Sequence, residues 1–149
     1  MTTEREAAKR ALRALGLQGP DVYWAELIPV VETAWADGVV QPNERALLDA
    51  YVETVAAWLN ACCQVPLFSV RQGRAVLERL LEARLPPHRR WAALRALRAL
   101  TADTRAGLQT RARVLEWAEA VAAVDGRPVW DARELFWIQA LRSNLPLAQ

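Results

Sequence analysis

Apolar residues recur along this chain at spacings of three and four, and caps or breakers divide the pattern into seven helical segments. Thr3-Glu4-Arg5-Glu6 has the form of a capping box and opens a first helix that Gly16 ends. Asp21 is placed to cap a second helix, in which Leu27, Val31 and Ala34, flanked by Val30 and Trp35, make an apolar stripe leading to Asp37-Gly38. Pro29 predicts a kink within it. Pro42 suits the first position of a third helix, which carries Leu47, Tyr51, Val55 and Trp58 inward until Asn60. Ser69-Val70-Arg71-Gln72 is a second capping box, opening a helix with Leu77, Leu80, Leu81 and Leu85 on its buried side until Pro86-Pro87.

The fifth segment, about residues 88–100, presents Trp91, Leu94 and Leu97, and the sixth, from near Thr104 to Val124, presents Leu108, Leu115, Ala118 and Ala122. Asp131-Ala132-Arg133-Glu134 caps the seventh, with Trp130 and Leu135 at the positions of a hydrophobic staple. Alternating patterns are missing, and the one β-rich stretch, residues 65–70, is short and contains Pro66. The expected fold is therefore all-α, a single bundle of about seven helices over residues 1–149. A chain of 149 residues, 53% hydrophobic with six Gly and eight Pro, buries a continuous core without staples.

The N-terminal segment mixes acid and base at helical spacing, unlike a secretory leader, and no apolar run approaches the roughly 18 residues that a membrane helix requires. The expectation is a cytoplasmic protein without direct membrane insertion. Cys62 and Cys63 are adjacent, a poor geometry for a disulfide, and no His gives them metal-ligand spacing, so they read as small hydrophobes near a helix end.

Two stretches, AWADGVVQPNERALL at residues 34–48 and AAVDGRPVWDAREL at 122–135, place an Asp-Gly pair between consecutive helices. Glycine is expected there, because helices commonly end in a left-handed residue. The aspartate is not, since a carboxylate in the last turn meets unpaired carbonyls and the negative pole of the helix, at a cost of roughly 0.3–1 kcal/mol. Two compensations are chemically reasonable. Asp37 can accept hydrogen bonds from free amides at the start of the third helix, near residues 42–44, with Asp125 doing the same before the seventh. Alternatively, Asp37 with Glu44, and Asp125 with Glu134, converge on a divalent cation. An EF-hand is excluded, because counting from Asp37 puts Val39, Gln41 and Leu48 at its third, fifth and twelfth positions.

An apolar helix ending in Ala-Trp-Ala-Asp-Gly, a glutamate seven positions after the aspartate, and a looser Ala-x-Asp-Gly unit late in the chain together resemble the TerB-like tellurite-resistance family. The same domain stands at the N-terminus of DjlA-type co-chaperones. Leu27-Ile28-Pro29-Val30-Val31-Glu32, running into Asp37-Gly38, is similar to that family's first motif, and the likeness extends from about residue 21 to 141. It implies about seven helices, an acidic metal-binding cluster drawn from both Asp-Gly units, no catalytic residues, and a role in stress response within protein complexes near the membrane. Asp37 and Glu44 match the first motif and Asp125 the second. Glu134 comes two positions late, and Asp131 is its alternative. An all-oxygen site of this kind favours Ca²⁺ slightly.

Charge is distributed unevenly. Residues 1–70 carry a net −4, residues 71–113 a net +8 and residues 114–149 a net −2. The basic segment, with His88-Arg89-Arg90, Arg95, Arg98, Arg111 and Arg113, reads either as a solvated face or as a footprint for an acidic protein partner. No nucleic-acid-binding motif accompanies it. Of seven tryptophans most lie on apolar faces. Trp24 and Trp117 fall near polar edges and are candidate partner anchors, with Arg89, Arg90, Arg95 and Arg98 as the basic contacts. The single histidine, His88, has no Ser or Cys at a motif-like distance, and no glycine-rich phosphate loop occurs, so the expectation is a non-enzymatic interaction module.

Overall fold

Every residue from Leu27 to Ala34 is buried, which makes the segment running on to Trp35 the axis around which the rest of the chain packs. In the computed structural model, which describes residues 3–63, 68–124 and 132–147, the elements are α1 Glu4–Ala14, a 3-10 helix Gly19–Trp24, α2 Leu27–Trp35, α3 Pro42–Cys63, α4 Val70–Glu82, α5 Pro87–Leu100, α6 Arg105–Ala123 and α7 Ala132–Asn144. The fold is all-helical, with no strand among the described residues. Short α2 touches α3, α4, α5, α6 and α7, while α1 lies along α5. A helix this rich in apolar residues has to be enclosed in this way, and it takes Glu32 and Thr33 inside with it. Among the described residues, no helix is long and apolar enough to cross a membrane.

Caps set most boundaries. Thr3 and Glu6 form the first capping box, and Ser69 with Gln72 the second. At the end of α1, Gly16 (φ 96°) lets its own amide reach the Arg13 carbonyl and the Leu17 amide reach that of Leu12, closing the chain reversal while both leucines enter the core. Thr104 caps α6 by accepting from the Gly107 amide at 2.9 Å.

The second predicted helix is two elements. Asp21 lies inside the 3-10 helix and caps nothing through its side chain; its carboxylate accepts from Arg79 of α4 at 2.6 Å. Pro29 does not kink α2, because it is the third residue of that helix, where the missing N–H has no carbonyl to bond. The third helix runs past Asn60 to Cys63. The Asn60 amide both donates to the Phe68 carbonyl and accepts from the Phe68 amide, each at 2.8 Å, which ties α3 to the entry of α4 and satisfies a residue expected to break the helix. Helix α4 ends at Glu82, before Leu85, where extended Ala83 turns the chain towards Pro86 and Pro87. Cys62 is exposed at the end of α3 and not a core hydrophobe. Leu135, expected in a staple, is on the surface, and its proposed mate Trp130 lies outside the described residues.

Candidate functional site

The first Asp-Gly corner is closed by its own backbone. Gly38 adopts φ 97° and donates to the Trp35 carbonyl at 2.8 Å, and one Asp37 oxygen accepts from the Val39 amide at 3.1 Å. The carboxylate thus escapes the helix pole by turning onto an amide two residues ahead, an Asx-turn, rather than onto the amides of residues 42–44. Glu44, buried at the third position of α3, reaches back to accept from the Gln41 amide at 2.7 Å, the glutamate half of a capping box.

Glu134 is likewise the third residue of its helix, α7, and is also buried. The two glutamates thus occupy equivalent positions in their helices. The start of α3 also meets the end of α6: the Asn43 side-chain amide, one residue before Glu44, points at the Val124 carbonyl at 3.5 Å, and Val124 precedes Asp125 in sequence. Asp125 and Asp131 lie outside the described residues. Among the described residues, no three His, Cys, Asp or Glu side chains stand close enough together to hold a metal ion.

Charge asymmetry along the chain is largely answered inside the molecule. Arg74 pairs with Glu53, Arg79 with Asp21, Arg84 and Arg90 with Glu32, and Arg113 with Glu26, so basic middle helices dock on acidic residues of the first seventy. Arg111 is buried and forms no ion pair with a described carboxylate. Its guanidinium donates to the Thr101 hydroxyl at 2.8 Å, the Arg98 carbonyl at 2.9 Å and the Pro146 carbonyl at 3.0 Å, placing a cation at the carboxyl end of α5. Burial and the neighbouring Arg98 pull its pKa below the usual arginine value.

Arg113 and Glu26 belong to a buried network. Tyr51 donates to Glu26 Oε1 at 2.8 Å, and the Arg113 guanidinium lies 4.3 Å from the centre of the Trp58 ring. Burial, then the charge of Glu26, push the Tyr51 phenol well above its ordinary 10.0. Glu32 is held less tightly, with Arg84 Nε at 3.4 Å and Arg90 Nε at 3.8 Å. Burial outweighs both arginines and raises its pKa above the ordinary 4.5. Neither network was anticipated from sequence. The signal for them is a carboxylate inside or beside an unbroken apolar run, because Glu26 and Glu32 bracket Leu27-Ile28-Pro29-Val30-Val31 and must be enclosed with it.

Of the expected aromatic partner anchors, one is interior and the other partly so. Trp24 has no exposed surface and packs over Gly73, where an added Cβ would come within 2.6 Å of its ring. Trp117 is half-buried and tilts against Tyr51 at 5.2 Å. Arg90 is engaged by Glu32, whereas Arg89, Arg95 and Arg98 are exposed, and none of their side chains forms an ion pair with a described residue. His88 is exposed in the first turn of α5. No family model matches the chain, and neither the curated proteins nor the solved structures contain a significant match to it.

Proposed function

We propose that this protein is a non-enzymatic helical interaction module that docks an acidic protein partner through the exposed arginines of α5, Arg89, Arg95 and Arg98. The observation that carries this reading is the internal pairing of the basic segment. Five of its arginines pair with carboxylates of the first seventy residues, and three of those that form no ion pair with a described residue stand exposed along one helix, α5. Exposed charges of one sign attract partners of the other and raise their association rate. Titration with labelled poly-glutamate at increasing salt tests it. Affinity should fall as salt rises and drop several-fold in the Arg89→Ala/Arg95→Ala/Arg98→Ala variant. Absence of binding at low salt, or binding indifferent to the triple substitution, rejects the reading. Equal binding of duplex DNA would assign the face to nucleic acid instead.

A second reading rests on the approach of Asn43 to Val124 and the equivalent buried positions of Glu44 and Glu134. In it, a TerB-like stress-response module holds a divalent cation, Ca²⁺ by preference, between the corners. Asp37, Glu44, Asp125 and Glu134 or Asp131 would supply oxygen ligands, a set that suits a hard cation. The ion would fix the angle between helix pairs and with it the partner surface. The melting temperature of chelator-stripped protein should then rise saturably with one of Ca²⁺, Mg²⁺, Mn²⁺ or Zn²⁺, and the rise should vanish in Asp37→Asn and in Asp125→Asn. No rise with any of the four sinks this second reading and leaves the first intact.

A further inference from the structure

Where the ends of α2 and α4 meet the starts of α5 and α7, a groove of about 420 Å³ opens beside the first Asp-Gly corner. Ala36 and Pro87 line it together with three aromatic side chains, Trp91, Trp137 and Phe136. The aromatics meet edge to face, Trp91 with Trp137 at 5.7 Å and with Phe136 at 6.4 Å. Phe136 is 63% exposed, the most exposed large hydrophobic side chain among the described residues. The rim is cationic, with Arg84, Arg90 and Arg133 all lining the groove. Behind the rim, one buried carboxylate, Glu32, serves both Arg84 and Arg90, and buried Arg90 Nε has no hydrogen-bond partner among the described residues.

An aromatic wall under a ring of guanidinium groups is complementary to a short peptide segment in which carboxylates flank one bulky apolar side chain. Arginine and tryptophan are the side chains that dominate binding energy at protein interfaces, and a concave site with a few polar groups is what a single anchoring side chain requires. We infer that this groove is the docking site for an acidic segment of a partner protein, with an aromatic or leucine side chain seated against Phe136 and Trp91 and its flanking carboxylates on Arg84 and Arg90, which share one internal carboxylate. The inference rests on the acidic-partner reading above and gives it a location and a sequence preference. Arg89, Arg95 and Arg98 then attract the segment from a distance, and the groove holds it.

The test uses the full chain and synthetic nonapeptides with Asp and Glu on both sides of a central Phe, Leu or Ala, together with Asn/Gln analogues of each, measured by fluorescence anisotropy. Phe- and Leu-centred acidic peptides should bind about tenfold more tightly than the Ala-centred one, and the Asn/Gln analogues should lose binding. Phe136→Ala removes exposed surface and should leave the fold intact; it should abolish the preference for Phe over Ala. Arg10→Ala, a charge loss on α1 away from the groove, should leave that preference unchanged. Affinity independent of the central residue, or unaffected by Phe136→Ala, overturns the groove assignment. If such binding still weakens in the triple arginine variant, the broader acidic-partner reading survives, and if no acidic peptide or poly-glutamate binds, both fall. A concentration-dependent dimer lost in Phe136→Ala, with no peptide bound, gives the groove to a second copy of this chain and also overturns the inference.

Discussion

Arg113 grips the carboxylate of Glu26 through two hydrogen bonds of 2.7 Å each, although the two residues are 87 positions apart. Together with Tyr51 they pin α6 to the start of α2 and to α3, with Glu26 and Tyr51 buried and Arg113 partly so. Attraction between buried charges repays their desolvation only when the remaining polar atoms are satisfied as well, and here Tyr51 and Thr110 complete the set.

Removing one member should therefore be costly, and removing both much less so. Glu26→Leu or Arg113→Leu alone should destabilise by about 3–5 kcal/mol by leaving the other charge buried and unpaired, and the double variant should recover a large part of the loss. Urea denaturation of the four proteins gives the coupling directly. Single variants within about 1 kcal/mol of wild type would show that the pair contributes little. In a Tyr23→Phe background, the remaining tyrosine, Tyr51, should ionise only as the protein unfolds, because its pKa is raised in the fold.

Glu32 gives a pH dependence with a definite sign. Its pKa is raised in the folded chain, chiefly by burial, so between 4.5 and that raised value the folded state holds a proton that the unfolded state has lost. Stability should fall as pH rises through this window. Glu32→Gln, neutral at every pH, should remove that part of the slope, and Arg84 and Arg90, both partly exposed, can turn their guanidinium groups to water. Urea midpoints compared from about pH 4 to about pH 8 decide it. A slope unchanged in Glu32→Gln would place the titrating group elsewhere.

Local signals were legible wherever the physics is local. Both capping boxes, Gly16, Thr104 and the all-helical class follow from short-range rules and appear in the fold as read. What was not legible depends on enclosure. Trp24 falls on a polar edge of its own segment, yet Gly73 on α4 leaves a recess for its ring. Arg90 and Arg113 look like surface charge until Glu32 and Glu26, both flanking the same apolar run, are seen to be interior. The site was half legible: Asp37 and Glu44 act at the first corner, but as backbone acceptors, while the aromatic groove needs the ends of four helices to exist at all.

Gly107 should be intolerant of any side chain. It is the third residue of α6, where alanine is ordinarily the better helix former, but a Cβ there would run into the backbone carbonyl of Thr101, and Thr101 is itself fixed by Arg111. Gly107→Ala should destabilise by about 1–3 kcal/mol or more despite its helix propensity. A thermal or urea midpoint equal to or above that of wild type would mean that the α5–α6 turn can give way. Gly73→Ala should behave similarly for a different reason, with Trp24 and Val52 displaced.

The two readings of the acidic corner diverge in how it answers amide and alanine substitutions without added metal. If Asp37 and Glu44 act by accepting from the Val39 and Gln41 amides, a side-chain amide oxygen replaces the carboxylate oxygen at both places. Asp37→Asn should then lie within about 0.5 kcal/mol of wild type in chelator, and even above it if relief from the negative pole of α2 dominates. Asp37→Ala should lose about 0.5–1 kcal/mol with the turn bond, and Glu44→Ala about 1 kcal/mol or more with its cap and its packing. Equal losses for the Asn and Ala variants at Asp37 would show that the negative charge, not the hydrogen bond, is what the corner uses. Stability in chelator isolates the turn from any ion, so a loss confined to Ala and a metal response confined to Asp establish the two roles separately on one side chain.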